Sequence, residues 1–88
     1  MWVRVKDIEQ GLHPSEAIVM IETVQGQEEV VVDRRVIQHN SIEVGQPVAV
    51  SPDDKYYLVE LPAETSRGAW RVWVAKTLVA QRIPEPAE

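Results

Sequence analysis

The stretch YYLVELPAETSRGAWRVWV, residues 56–74, decides the fold class of this 88-residue chain. Two runs rich in β-branched and aromatic residues, which favour strands, are joined by a segment that contains Pro, Ser and Gly, and this pattern predicts a β-hairpin. Side chains alternate between the two faces of a strand, so Trp73 is predicted to point away from the core. The predicted inward row of the same strand is Trp70, Val72 and Val74.

A second hairpin is predicted over residues 17–33, AIVMIETVQGQEEVVVD. Its turn is placed at Gln25-Gly26, because glycine readily adopts the positive φ of a tight turn. The resulting cross-strand pairs are Val19 with Val32, Ile21 with Val30 and Glu22 with Glu29. The last pair sets like charges opposite each other, which is mildly destabilising, and the register stays open. Glu28 and its acidic neighbours are interpreted as a solvated turn.

Shorter elements are predicted around the two hairpins. Residues 2–6 alternate well enough for a strand, whereas residues 7–16 hold few large apolar residues and are predicted to be a loop. The Asp33 carboxylate is predicted to cap a helical turn over residues 34–37, since it can accept from the free amides of the first turn. The remaining predictions are a strand at residues 47–51 and a helical turn or last strand at residues 75–82.

A single β domain is predicted over residues 1–83, followed by a disordered tail at residues 84–88. The halves 1–45 and 46–83 share an order of elements, in which a hairpin ends in a valine-rich strand followed by basic residues. This order predicts a pseudo-twofold, duplicated three-strand unit; the alternative is a small barrel without duplication. The predicted fold class is therefore mainly β, a partly open barrel or sandwich of about five or six strands with short helical turns only.

The second half also shows a general resemblance to a known architecture. The segments PVAVSPDDKYYLVEL, residues 47–61, and GAWRVWVAKTLV, residues 68–79, resemble the later strands of small SH3-like barrels, in which a hairpin leads into a short helical turn. The resemblance covers less than half of the chain and includes no diagnostic motif. It implies a fold, and no functional residue is carried over from it.

Composition excludes several classes of protein. The chain has no cysteine, so neither a disulfide framework nor a thiolate metal site is available. Its net charge of −5 argues against nucleic-acid binding through a broad basic surface. No apolar run is long enough to span a bilayer, and charged residues near the N-terminus do not fit a signal peptide. A cytoplasmic protein that does not bind membranes is predicted.

No motif points to catalysis. His13 and His39 lie in predicted turns without the spacing of a zinc site, and no nucleophile elbow or phosphate-binding glycine loop is present. No catalytic residue, metal or cofactor is assigned, and an enzyme is not favoured. Arg67 beside Ser66, in the loop of residues 62–68, is a weak candidate for anion binding, because a guanidinium offers a planar fork of donors.

The strands are apolar on both faces, and this pattern predicts a partner. A sheet with one wet face alternates cleanly between apolar and polar side chains, which these hairpins do not. The chain offers no amphipathic helix to cover the second face, so a second molecule is expected to do so, most simply in a homodimer or a dimer of dimers. The candidate interaction residues are Trp2, Met20, Val31, Tyr56, Leu58, Arg71 and Trp73.

These observations favour a small, non-catalytic, oligomeric β module that binds another protein or a small ligand. One alternative is a nucleic-acid-binding barrel, because aromatic and cationic residues interleave on predicted outward faces. The residues concerned are Trp2, Arg4, Lys6, Arg71 and Trp73. The other alternative is an enzyme whose site lies between subunits.

Overall fold

The computed structural model describes residues 1–82, which are mainly β and contain ten short strands and two 3-10 turns. No helix in this part of the chain is long and apolar enough to cross a membrane. The predicted tail, residues 84–88, lies outside the described residues, as does Ile83. The strands are β1 Trp2–Arg4, β2 Lys6–Gln10, β3 Glu16–Thr23, β4 Gly26–Asp33, β5 Ile37–Gln38, β6 Ser41–Glu43, β7 Ala49–Val50, β8 Tyr56–Glu60, β9 Arg71–Ala75 and β10 Val79–Ala80.

The strands form three antiparallel sheets. Two are three-stranded, with the orders β2-β3-β4 and β7-β8-β9, and each contains one of the predicted hairpins. The third is four-stranded, with the order β10-β1-β6-β5. The prediction of a mainly β fold is therefore confirmed. The finer prediction was a partly open barrel or sandwich of about five or six strands; residues 1–82 instead form three small sheets, neither a closed barrel nor a single six-stranded one.

The first hairpin has a third strand that was not predicted. The predicted strand of residues 2–6 is interrupted at Val5, so that β1 joins the four-stranded sheet while β2 stays with the hairpin. Within β2, Asp7 has a φ of 53°, and the pairing with β3 shifts between Lys6 and Glu9. The predicted loop of residues 7–16 thus begins as a strand. Its sequence, KDIEQ, has one large apolar residue and carries no strand pattern.

The register of the first hairpin differs from the prediction by two residues. Val19 pairs with Val30 and Glu22 with Gln27, since the turn lies at Val24-Gln25. Gly26 follows this turn with a φ of 111°, a conformation that glycine adopts without strain. A shift of two leaves every side chain on its predicted face. The predicted inward residues Val19, Ile21, Val30 and Val32 are accordingly all buried.

The second hairpin has the predicted alternation over its strands. Val59 and Val72 pair on the inner face, and Leu58 and Trp73 pair on the outer face. Trp70 departs from the prediction, because β9 begins one residue later and leaves this side chain 53% exposed. The core joins the inner rows of both hairpins to the four-stranded sheet. Its fully buried large side chains include Val3, Val19, Ile21, Ile42, Val59 and Val74.

Each hairpin is followed by a 3-10 turn and a short strand. The first turn, Arg34–Val36, is capped as predicted: the Asp33 Oδ1 accepts a hydrogen bond of 2.9 Å from the Arg35 backbone N–H. The second, Lys76–Leu78, has no side-chain cap and leads into β10. The predicted alternatives for residues 75–82, a helical turn or a last strand, are thus both present in succession.

The four-stranded sheet is symmetric about its centre. The strand order is β10-β1-β6-β5. Exchanging β1 with β6 and β5 with β10 gives the same order read from the opposite edge of the sheet. Two backbone hydrogen bonds obey the same exchange, since Val44 N–H donates to Met1 O at 2.7 Å and Val5 N–H donates to Asn40 O at 2.8 Å. A pseudo-twofold axis therefore passes between β1 and β6.

The hairpins follow the same symmetry. Arg34 N–H donates to Ser15 O at 2.9 Å, and Lys76 N–H donates to Lys55 O at 3.0 Å. Each bond ties a 3-10 turn to the residue that precedes its own hairpin. The symmetry-related strands are connected through the tight turn His39-Asn40, where both residues have positive φ. The predicted repeats 1–45 and 46–83 stay a prediction. Whether the halves share an ancestor stays a prediction.

Candidate functional site

A cleft opens where the tip of the first hairpin meets the outer face of β8 and β9. Its volume is about 290 Å³. It combines apolar walls with charged groups, and we call it the hairpin cleft. The residues that define it here are Val24, Glu28, Leu58, Arg67, Arg71 and Trp73.

The tip of the first hairpin is fixed to the second by a backbone hydrogen bond. Val24 N–H donates to Trp73 O at 3.0 Å, which extends the edge of β9 by one contact. Trp73 and its cross-strand partner Leu58 lie on the outer face of the sheet and remain partly exposed. The tip therefore forms one wall of the cleft and the Trp73–Leu58 pair forms another.

The loop of the second hairpin is anchored in return on the first. Ser66 N–H donates to Glu29 O at 2.8 Å, and Thr65 bridges to Val30. Thr65 is buried, and its hydroxyl oxygen accepts a hydrogen bond of 3.1 Å from Ala69 N–H. The loop is thus held against β4, which carries Arg67 to the cleft.

Glu28 is the unusual group of the cleft. It continues the inward row of β4 beyond Val32 and Val30, and its side chain is only 5% exposed. Its Oε1 atom is buried and has no hydrogen-bond partner within residues 1–82. Its Oε2 atom lies 3.5 Å from Nε of Arg67, whose own side chain is 69% exposed. The cleft therefore contains a buried carboxylate that its own chain satisfies only in part.

Arg71 contributes a second cation at the mouth of the cleft. Its Nε atom donates to Glu60 Oε2 at 3.1 Å, across the β8–β9 pair. Both side chains are more than half exposed, so solvent screens the pair and its stabilising effect is small. The positive charge of Arg71 is nevertheless balanced at close range, whereas Arg67 has only the longer contact with Glu28.

Comparison of the chain with known protein families, curated proteins and solved structures finds no match.

Four of the residues predicted from sequence meet at the hairpin cleft. Leu58, Arg71 and Trp73 come from the candidate interaction set, and Arg67 comes from the candidate anion site. Ser66 lies beside Arg67, but its backbone N–H is already bound to Glu29 O. The structure thus joins two sets that the sequence analysis treated separately.

The other predicted interaction residues lie elsewhere. Trp2 was predicted to face outward but is 7% exposed, on β1, which lies between β10 and β6 in the four-stranded sheet. Met20 borders a separate groove beside Arg4 and Lys6. The two remaining candidates are Val31, 41% exposed on β4, and Tyr56, partly buried and paired with Ala75.

That groove has a pseudo-symmetric counterpart of the opposite charge. The groove of about 120 Å³ beside Met20 is bordered by Arg4, Lys6 and Glu22, and Lys6 Nζ lies 3.4 Å from Glu22 Oε1, which leaves one excess positive charge. Its counterpart, of about 490 Å³, is bordered by Glu43 and Glu60 at the corresponding strands. The cationic residues predicted to share one surface are therefore divided, with Arg4 and Lys6 at one groove and Arg71 at the hairpin cleft.

Glu28 was missed because it was assigned to a solvated acidic turn. The sequence does contain the signal that identifies it: Glu28 has the same parity as Val30 and Val32, which were predicted to point inward. His13 and His39 are both exposed, and no group of residues within 1–82 has the geometry of a metal site.

Proposed function

We propose that this chain is a non-catalytic binding module that recognises another protein through the hairpin cleft. One observation carries the proposal: Trp73 and Leu58 stay partly exposed beside a buried, incompletely paired Glu28. Binding sites combine apolar walls with a few placed polar groups, and Trp and Arg are enriched where binding energy concentrates. The cleft has this composition.

The position of the cleft supports the same function. Its walls come from both halves of the chain, and each wall is fixed by a backbone hydrogen bond to the other half, from Val24 to Trp73 and from Ser66 to Glu29. A site held in this way loses little conformational entropy when a ligand binds, which favours affinity.

Selection of peptides from a displayed random library on the full chain tests the proposal. We expect retained peptides to shift the amide signals of Val24 and Leu58 and the indole signal of Trp73. Trp73→Leu should weaken binding about tenfold or more, as for a buried aromatic contact. Trp70→Leu is the matched control, since Trp70 is exposed and does not border the cleft. Peptides that bind equally to both variants, or a library that leaves no binder, would refute the proposal.

We propose in addition that the chain forms the predicted homodimer or dimer of dimers. Val48, which directly precedes β7, and Val50, which lies in it, are each 47% exposed. Among residues 1–82, β7 pairs with β8 alone. An apolar strand edge of this kind favours association. Light scattering after size-exclusion chromatography should give a mass above that of one chain, and Val50→Lys should reduce it. A wild-type monomer at micromolar concentration would contradict the proposal. The cytoplasmic location stays a prediction.

A further inference from the structure

One oxygen of the Glu28 carboxylate receives no hydrogen bond from the described part of the chain. Its Oε1 atom is buried without a hydrogen-bond partner, although the residue borders an open cleft. A buried charge without full pairing is costly, and such a group in a native fold calls for an explanation, such as an absent ion or ligand. A ligand that brings N–H donors to Glu28 would supply what is missing.

Arg67 shows which kind of group reaches this carboxylate. Its Nε atom lies 3.5 Å from Glu28 Oε2, whereas charge-assisted hydrogen bonds measure about 2.7–2.9 Å. Its side chain is 69% exposed, so little packing holds it in place. The hydrogen bond from Ser66 N–H to Glu29 O fixes the loop backbone beside Arg67. The guanidinium of Arg67 nevertheless stays too far from Glu28 for a short hydrogen bond. Arg67 is an imperfect internal partner.

We propose that the hairpin cleft binds a guanidinium group, the side chain of an arginine on a partner protein, which displaces Arg67 from Glu28. This inference rests on the proposed function and specifies its ligand. A guanidinium offers a planar fork that donates to both oxygens of a carboxylate, which an ammonium does not match. The incoming group would pair with Oε1 and Oε2 together, and Arg67 would turn into solvent.

The other walls of the cleft fit an arginine side chain. Trp73 provides an aromatic ring for a cation and Leu58 an apolar surface for the methylene stem. The cleft, at about 290 Å³, lies at the small end of ligand sites, which matches one side chain better than a large molecule. Arg71 also borders the cleft, but Glu60 balances its charge at 3.1 Å. With Arg67 displaced, Glu28 sets the charge of the site.

The competing interpretation is an anion held by Arg67 and Ser66, as considered from sequence. The two interpretations predict opposite effects of one substitution. If Arg67 competes with the ligand for Glu28, Arg67→Ala removes the competitor and tightens binding. If Arg67 is itself the anchor for an anion, Arg67→Ala abolishes binding.

Titration of the ¹⁵N-labelled full chain with three capped amino acids tests the inference: N-acetyl-arginine methylamide and its citrulline and aspartate counterparts. We expect the arginine probe to shift the Trp73 indole and Val24 amide signals with a dissociation constant near the millimolar range, typical of one small contact. Citrulline has nearly the same shape without the charge and should bind about tenfold more weakly or not at all. The aspartate probe should not bind.

Variants of neighbouring residues give matched controls. Glu28→Gln should weaken arginine binding about tenfold or more, since the charged acceptor is lost. Glu22→Gln removes the same charge from an exposed residue of β3 that does not border the cleft and should leave binding unchanged. Arg67→Ala should tighten binding several-fold. If Glu28→Gln fails to fold, the arginine-to-citrulline ratio on the natural chain still decides.

The outcomes separate the inference from the proposed function. Equal shifts at the cleft with arginine and citrulline, or loss of binding in Arg67→Ala, would overturn the guanidinium assignment while the cleft remains a binding site. Absence of arginine-induced shifts at the cleft would also overturn it. Failure of the proposed function would be seen separately, if selected peptides of any composition bind away from Trp73.

Discussion

Val3 lies directly opposite Ile42 at the centre of the four-stranded sheet, and both side chains are fully buried. The pair sits where the pseudo-twofold axis relates β1 to β6. Each residue belongs to one half of the chain, so this contact joins the two halves at their midpoint.

Truncation of this pair should destabilise the whole chain. Ile42→Ala removes buried methylene groups and leaves a cavity, and we expect the free energy of unfolding to fall by about 2–5 kcal/mol. Leu12→Ala, at a side chain that is 97% exposed, should change it by less than about 0.5 kcal/mol. Urea denaturation measures both. Equal effects of the two substitutions would show that the midpoint contact does not carry stability.

The turn of the first hairpin depends on one glycine. Gly26 has a φ of 111°, and no other atom lies close to the place that a Cβ would occupy. Gly26→Ala should therefore lower the free energy of unfolding by about 1–2 kcal/mol through backbone strain alone. Gly45 also has open space but no positive φ, and Gly45→Ala is the control that should be nearly neutral. Thermal unfolding of the two variants separates strain from steric contact. A destabilised Gly45→Ala together with a neutral Gly26→Ala would contradict the turn geometry.

The Asp33 cap should be visible in an acid titration. Hydrogen bonds from the Arg35 side chain, and then from the Arg35 backbone N–H, lower the pKa of Asp33 from 3.8 to about 2. A pKa that is lower in the folded than in the unfolded chain stabilises the folded state at pH values above the pKa of the unfolded chain. This stabilisation disappears as the pH falls from about 4 towards 2. Carboxyl ¹³C shifts should report the low pKa, and Arg35→Gln should raise it. A titration of Asp33 at its ordinary value in the natural chain would exclude the cap.

The buried hydroxyl of Thr65 should hold the loop of the second hairpin. Thr65→Val keeps the shape but removes the acceptor for Ala69 N–H, and we expect a loss of about 1 kcal/mol or more in stability. Thr77→Val, at an exposed residue of the second 3-10 turn, should change stability little. Amide exchange at Ala69 gives a local measure. Unchanged exchange in Thr65→Val would mean that the hydroxyl does not fix the loop.

The face of each hairpin residue was largely predictable from sequence, because alternation depends only on whether two residues of a strand are an even or an odd number of positions apart. The register error of two residues left Val19 and Val30 on their correct faces for this reason. The division into sheets was not predictable in the same way. It depends on the interruption of the strand at Val5, a residue type that favours strands, and on which distant strands pair.

The candidate site was half predictable. The outward orientation of Leu58, Arg71 and Trp73 follows from alternation along the strands. Their proximity to Arg67 depends on contacts between the two hairpins, such as that of Val24 with Trp73. Trp2 shows the limit of parity. Trp2 shares its face of β1 with the exposed Arg4 and is nevertheless 7% exposed, and alternation alone does not distinguish the two positions.

Covalent linkage of two similar units allows the halves to differ. Val30 pairs with Val19 as Val72 pairs with Val59, so the position that corresponds to Glu28 is occupied by Trp70, one buried and the other exposed. A dimer of identical subunits must carry every substitution twice, and a buried acid at this position would then be duplicated. In a single chain the acid occurs once, so the two units contribute different side chains to one cleft, Glu28 from the first and Trp73 from the second.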